Sequence, residues 1–88
     1  MIKFLKSLGF TEYKLEEIPF CYEIEFTLLN KGLAYYKFSD NTEKITLYEL
    51  SEGDIIQDIK LEDVEKYVHH FKWQENEINK ILKTEFKP

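Results

Sequence analysis

The clearest secondary-structure pattern in the chain lies at residues 20–29, which read FCYEIEFTLL. From Phe20 to Leu28 every second residue is large and apolar or aromatic, and most of the residues between them are polar. A period of two is typical of a β-strand that buries one face. We therefore predict a strand whose buried face packs against helices, and the residues of that face are Phe20, Tyr22, Ile24, Phe26 and Leu28.

The chain after this strand has the pattern of an antiparallel meander. Residues 30–32, which read NKG, are predicted to be a short hairpin loop in which the glycine supplies a positive φ. Residues 33–38 form the returning strand, and residues 45–50 form a third strand after a cluster of turn residues. Residues 55–59 form either a short fourth strand, which we favour, or an extended lead into a helix.

Before the strands, Ile2, Leu5 and Leu8 are three residues apart and Gly9 follows them. This spacing predicts a short N-terminal helix with a glycine C-cap. Residues 11–17 show no apolar period and are predicted to be a polar connector.

After the strands, a three-four spacing of apolar residues from Leu61 onward predicts helix. Glu75 interrupts this apolar spacing in the middle, so the segment forms either one long helix or two helices that meet near residues 73–76. We favour two, because Trp73 points off the first stripe and Asn76 can cap a second helix. The predicted fold class is therefore α+β, with a short N-terminal helix, an antiparallel meander of three or four strands, and one or two C-terminal helices packed on one face.

Length and composition limit the organisation and the location of the chain. Eighty-eight residues, of which 43% are hydrophobic and 16% aromatic, suit a single domain over residues 1–88. The only cysteine, Cys21, excludes an internal disulfide. Lysines interrupt the apolar residues of the N-terminus, so no signal segment or membrane span is predicted there. We expect a cytoplasmic protein with no membrane partner.

No residue cluster has the spacing of a known catalytic or metal site. His69 and His70 are adjacent, so on a helix they point about 100° apart, and no third ligand is placed near them. Cys21 lies within the predicted strand, and the three glycines are isolated. The carboxylates are too numerous for any pair of them to be diagnostic. We therefore predict no catalytic residue, no cofactor and no metal, and a protein that is not an enzyme.

Negative charge is concentrated in residues 49–65. This segment holds seven carboxylates and a single lysine, a net charge of −6, whereas the whole chain carries −5. The helix dipole favours acids near a helix start, which explains part of the cluster. A surface potential of one sign also steers partners of the opposite sign. The candidate partner-binding residues are therefore Glu49, Glu52, Asp54, Asp58, Glu62, Asp63 and Glu65.

Aromatic residues supply a second hypothesis. Neighbours on a strand point to opposite faces, so one of Tyr35 and Tyr36 is expected to lie outward, where a partner can reach it. Tyrosine and tryptophan are enriched at interface hot spots, although small domains also use them at the core boundary. The alternative function is a structural or regulatory module that self-associates through such aromatics or through an open sheet edge.

Direct binding of nucleic acid is not expected. All 12 cations are lysine, 17 carboxylates outnumber them, and the chain lacks the arginine that most often contacts guanine. The order helix, three strands, helix resembles the double-stranded RNA-binding domain, which grips phosphates with a basic start to its last helix. The corresponding residues 60–65 read KLEDVE and are acidic.

The size, the acidity and the order helix, three strands, two helices are similar to those of some small phage anti-CRISPR proteins. Members of that class include acidic proteins that occupy the DNA-binding cleft of a CRISPR nuclease with carboxylates in place of phosphates. The resemblance implies a nucleic-acid mimic from a phage or mobile element that inhibits a host defence nuclease. The first hypothesis is therefore a non-enzymatic inhibitor or adaptor, monomeric or dimeric, that binds a basic protein surface through residues 49–65.

Overall fold

The computed structural model describes residues 1–85, which form two helices and a five-stranded antiparallel sheet. The elements are α1 (Ile2–Leu8), β1 (Thr11–Leu15), β2 (Ile18–Phe26), β3 (Lys31–Lys37), β4 (Glu43–Glu49), β5 (Ile55–Asp58) and α2 (Val64–Glu85). Short 3₁₀ helices at Thr27–Leu29 and Leu61–Asp63 connect β2 to β3 and β5 to α2. The predicted α+β class is confirmed, and neither α1 nor α2 is long and apolar enough to cross a membrane.

The strands follow one another across the sheet in the order β1-β2-β3-β4-β5. The predicted strand at residues 55–59 is confirmed as β5. The prediction of a polar connector at residues 11–17 is wrong, because residues 11–15 form strand β1. Thr11 pairs with Glu23 and Tyr13 pairs with Cys21, which makes β1 an edge strand. Most of its side chains are exposed on both faces, so no apolar period marks it in the sequence. The meander therefore has five strands.

The N-terminal helix ends as its sequence predicts. Gly9 has a φ of 107°, which is the left-handed region that glycine adopts without strain. Its N–H donates to the carbonyl of Lys6 at 3.0 Å, and the N–H of Phe10 donates to the carbonyl of Leu5 at 3.1 Å. This cap turns the chain so that Phe10 is buried against the core.

Strand β2 buries the face that its alternation predicts, although not along the whole stretch. Tyr22 and Phe26 are buried and Ile24 is partly buried against the core. Phe20 and Leu28 are exposed, which corrects the prediction for these two residues. Leu28 lies outside the pleat because the strand ends at Phe26, and Phe20 lines an open groove with Met1 and Ile2 at one end of the sheet.

The hairpin between β2 and β3 corrects the predicted role of Gly32. Asn30, not the glycine, takes the positive φ, at 55°. Gly32 lies inside β3, beneath the ring of Tyr48 on β4. A Cβ at this position would lie 2.6 Å from Cζ of Tyr48, so the glycine is needed for the close approach of a neighbouring side chain.

The C-terminal segment is a single helix, so our preference for two helices is wrong. Glu75 sits at a position of the apolar stripe, where a polar residue suggested a break. Its Oε2 accepts the backbone N–H of Leu28 at 3.0 Å, which satisfies a donor of the neighbouring 3₁₀ helix. Asn76 therefore lies in the helix interior and not at a cap.

The helices cover one face of the sheet, where the buried residues form one hydrophobic cluster. Val64, Val68 and Phe71 of α2 pack with Leu5 and Leu8 of α1 over the inner sides of β2, β3 and β4. The rings of Phe26 and Phe71 are 5.1 Å apart between centroids and tilted by 59°, a favourable aromatic geometry. The cluster spans both layers and so holds α2 on the sheet.

Candidate protein-binding surface

Strand β5 is the exposed edge of the sheet beside the acidic segment. It pairs only with β4, and all four of its side chains are exposed, with Ile55 61% and Ile56 49% accessible. Leu47 pairs with Gln57 while Tyr48 pairs with Ile55, so Ile56 is an extra residue and forms a bulge. The strand therefore presents two isoleucines and a short row of free backbone groups to solvent.

The turn before β5 is held in place by Asn30. The side chain of Asn30 accepts the N–H of Ser51 and donates to the hydroxyl of Ser51, both at 3.0 Å. The N–H of Leu50 donates to the carbonyl of Asn30 at 3.0 Å, and Gly53 completes the turn with a φ of 74°. These bonds fix the backbone that carries Glu52 into β5.

Three of the seven predicted acids have partners. The Ser51 hydroxyl donates to Glu49 at 2.8 Å. Asp58 lies 3.8 Å from Nζ of Lys44, and Glu65 lies 3.5 Å from Nε2 of His69, and each of these contacts is largely exposed. Exposed ion pairs of this kind contribute little to stability.

The other four acids, Glu52, Asp54, Glu62 and Asp63, make no side-chain hydrogen bond or ion pair within residues 1–85. The structure places Glu52 and Asp54 just before β5 and Asp58, Glu62 and Asp63 at its end or just after it. We call these five acids together with β5 the acidic edge. Glu49 and Glu65 lie outside it, on β4 and on the first turn of α2.

Hydrogen bonds connect the acidic edge and the residue that follows β5 to α2 and to β4. Nε2 of Gln57 donates to the hydroxyl of Tyr67 on α2 at 2.9 Å, and the N–H of Ile59 donates to the carbonyl of Ile45 at 2.8 Å. Ile59 is buried in the core cluster. The carboxylates therefore lie on a framework held at both ends, which lowers the ordering cost of binding a partner.

The second face of the sheet carries its own aromatic side chains, which the sequence pattern did not reveal as a set. Tyr35 is buried in the core and Tyr36 lies half-buried on this opposite face, as predicted. Tyr48 lies across Gly32, and its hydroxyl donates to Glu23 at 2.9 Å. Burial raises the pKa of Tyr48, and the bond to Glu23 raises it further, so the hydroxyl stays protonated as a donor.

The histidines of α2 lie on its exposed side. His69 contacts Glu65, and the ring of His70 stacks on Trp73 with centroids 6.1 Å apart. In the part of the chain that the structure describes, no three His, Cys, Asp or Glu residues come together in a group that could hold a metal ion.

Cys21 lies beneath this second face and is 1% exposed. Burial raises the pKa of its thiol, and the thiolate is the reactive form. We expect Cys21 to react with DTNB at least about a hundredfold more slowly in the native protein than in urea, because reaction requires opening of the sheet. Equal rates in the two states would contradict this burial.

The acidic edge combines negative charge with exposed apolar side chains. Along the chain its carboxylates lie on both sides of the exposed side chains of Ile55 and Ile56. The sequence located the charge, while only the fold identifies the edge strand between the acids.

No protein-family model, no curated protein and no solved structure matches this chain.

Proposed function

We propose that the protein is a non-enzymatic protein-binding module, an inhibitor or adaptor that engages a basic protein surface through the acidic edge. The observation that carries this proposal is the position of four carboxylates before and after an exposed edge strand, none of which has a hydrogen-bond or ion-pair partner within residues 1–85: Glu52, Asp54, Glu62 and Asp63. Carboxylates that are not neutralised by an ion pair keep their field available to a partner.

The acidic edge has the parts of an interface in their usual places. Ile55 and Ile56 supply an apolar centre that loses water on binding, and the acids form a charged rim. The free backbone groups of β5 also offer hydrogen bonds to an extended partner segment. Two copies of the edge would repel each other, so this surface favours a partner of opposite charge.

Among basic proteins, those that bind nucleic acid match the charge of this surface best. Their clefts present lysine and arginine to phosphates, and the carboxylates of the acidic edge carry the same sign of charge as phosphates. The narrower form of the proposal is therefore a nucleic-acid mimic, similar to the small acidic anti-CRISPR proteins of phages, that occupies such a cleft in a defence nuclease. The size and the charge support this form, whereas the order helix, three strands, two helices is not the order of the structure.

Neutralising the acidic edge should weaken binding strongly. We expect a variant with Glu52→Gln, Asp54→Asn, Glu62→Gln and Asp63→Asn to associate at least about tenfold more slowly with the native partner at low ionic strength. The difference should shrink as salt shortens the screening length. The partner is captured with the wild-type chain from its native host, and the rates are measured by biolayer interferometry across a salt series.

The control removes the same charge from the opposite edge of the sheet, with Glu12, Glu16, Glu17 and Glu25 each changed to Gln. These four acids are exposed and lie on or beside β1 and β2. Both variants should unfold within about 1 kcal/mol of the wild type, because exposed charges contribute little. If the two variants bind alike, net charge and not the acidic edge governs association, and the proposal is wrong.

A further inference from the structure

An open groove of about 420 Å³ lies between α1 and the sheet, at the end where β2 begins and β3 ends. The ring of Tyr35, which is buried, and the ring of Phe20, which is 41% exposed, both line it. We call the space the end groove, and the six residues that line it are Met1, Ile2, Lys3, Phe20, Tyr35 and Lys37.

The end groove continues the helix-facing side of the sheet beyond the core cluster. Tyr22 pairs with Tyr35 in the core, and two residues further along the same face Phe20 pairs with Lys37. No residue of α2 lines this end. The core stops here because a lysine takes the next inward position of β3, and the apolar side chains beside that lysine remain open to solvent.

Both charged residues that line the end groove are lysines. Lys3 lies on α1 and Lys37 on β3, and neither has an ion-pair partner within residues 1–85. Lysine places its apolar stem along a groove of this kind and its ammonium group in water. Glu43 pairs with Lys37 across the sheet, but it does not line the groove, and its carboxylate accepts the hydroxyl of Tyr35 at 2.8 Å. The groove therefore carries local positive charge on a chain whose net charge is −5.

We propose that the end groove binds a free fatty acid of medium chain length. The hydrocarbon chain lies against Ile2, Phe20 and Tyr35, and the carboxylate lies beside the ammonium groups of Lys3 and Lys37. The volume is within the usual range of small-ligand sites. This site is separate from the acidic edge, and the proposal does not rest on the proposed function.

The lack of free hydrogen-bonding groups in the end groove favours a hydrocarbon chain over a peptide. The hydroxyl of Tyr35 is already bonded to Glu43, and the backbones of Phe20 and Lys37 pair with each other within the sheet. A peptide lying in the groove would leave backbone groups on that side without partners, which is unfavourable. A hydrocarbon chain has no such groups, and only its carboxylate end requires a polar contact.

Binding should depend on chain length. We expect decanoate, below its micelle-forming concentration and at low ionic strength, to bind with a dissociation constant of about 100 µM. From hexanoate to decanoate each added methylene should tighten binding about two- to fourfold, where the upper figure corresponds to complete burial. The lower figure applies because the groove is open to solvent.

The test is titration of the full, ¹⁵N-labelled chain followed by NMR. Decanoate should cause saturable shifts at the amides of Ile2, Phe20 and Lys37. The amides of Ile81 and Leu82 should not move, and these exposed apolar residues of α2 serve as a control within the same molecule. Decyltrimethylammonium has the same chain length and should bind at least about tenfold more weakly, although the net charge of the protein favours a cation.

Two lysine variants test the head-group contact. Lys3→Gln with Lys37→Gln should weaken decanoate binding at least about fivefold. The matched control, Lys80→Gln with Lys83→Gln, removes the same charge from the C-terminal half of α2 and should bind decanoate within about twofold of the wild type. Equal weakening in both variants would mean that net charge governs binding, and would overturn the proposal.

Sedimentation with phosphatidylglycerol vesicles distinguishes a free fatty acid from a membrane surface. We expect the protein to stay in the supernatant, because anionic lipids repel an acidic chain and the groove is concave. Binding to vesicles without saturable shifts by decanoate would overturn the proposal. Shifts by decanoate at Ile81 and Leu82 instead of at the lining residues, or equal binding of the two head groups, would also overturn it.

Discussion

Replacing Phe26 with alanine should lower the free energy of unfolding by about 3 to 5 kcal/mol, as removal of a buried aromatic ring does in other cores. Phe26 is 1% exposed and its ring packs on that of Phe71, the last core residue of α2. The substitution leaves a cavity between the sheet and the helix, and both sides are fixed by other core contacts. Urea denaturation with an unchanged m-value measures the loss.

Phe20 provides the matched control for this prediction. It lies on the same strand and on the same face, but at the end of the sheet, where it is 41% exposed. Phe20→Ala should therefore cost less than about 1.5 kcal/mol, since much of the ring already contacts water. Equal losses for the two variants would mean that the helical layer covers the whole of β2.

The central strands could be predicted from the sequence because they bury one face. Tyr22, Ile24 and Phe26 alternate with polar residues, because one face of the strand is buried and the other faces solvent. Strand β1 has no buried face, so its apolar residues do not alternate with polar ones. Its existence depends on pairing with β2, which is a tertiary interaction that no local pattern encodes.

The length of α2 was misjudged for a related reason. A carboxylate at Glu75 interrupts the apolar stripe, and in the sequence alone such an interruption resembles the boundary between two helices. The structure satisfies that carboxylate with a backbone donor from a segment 47 residues away. Where the sheet stops covering the helix is likewise a property of the assembled fold, so the exposed end of α2 could not be distinguished from the part that packs on the core.

For the candidate surface, too, some features follow from the local sequence and others only from the tertiary structure. The concentration of acids at residues 49–65 is a local fact that the sequence states in full. Which of the acids pair with Ser51, Lys44 or His69 depends on strand register and helix packing. The sequence could predict that β5 is a strand. Its place at the edge of the sheet follows from the order of the strands in the meander.

Replacing Val68 with aspartate should destabilise the protein more than any other change considered. Val68 is fully buried at the centre of the contact between α2 and the sheet. A carboxylate there loses its hydration, and the core cluster around it is hydrophobic. We expect a loss of more than about 4 kcal/mol, or a fall in Tm of at least about 16 °C for a domain of this size.

The pH dependence identifies the cause of that loss. Burial raises the pKa of the introduced carboxyl above its unfolded value of about 3.9. The destabilisation relative to wild type is therefore fully present above the raised pKa and shrinks as the pH falls toward about 4, where the folded protein can hold the group neutral. A deficit that stays constant from pH 7 to pH 4 would point to lost packing instead of a buried charge.

Ile81→Asp separates this effect from helix propensity. Val68 and Ile81 are both β-branched residues of α2, and aspartate is about as poor a helix former as either. The side chain of Ile81 is exposed, so the new carboxylate stays hydrated and should cost less than about 1 kcal/mol, most of it from the negative charge near the helix C-terminus. Thermal unfolding of both variants at the same protein concentration measures the difference. If the two variants lose similar stability, α2 is covered along its whole length and its C-terminal half does not extend beyond the sheet.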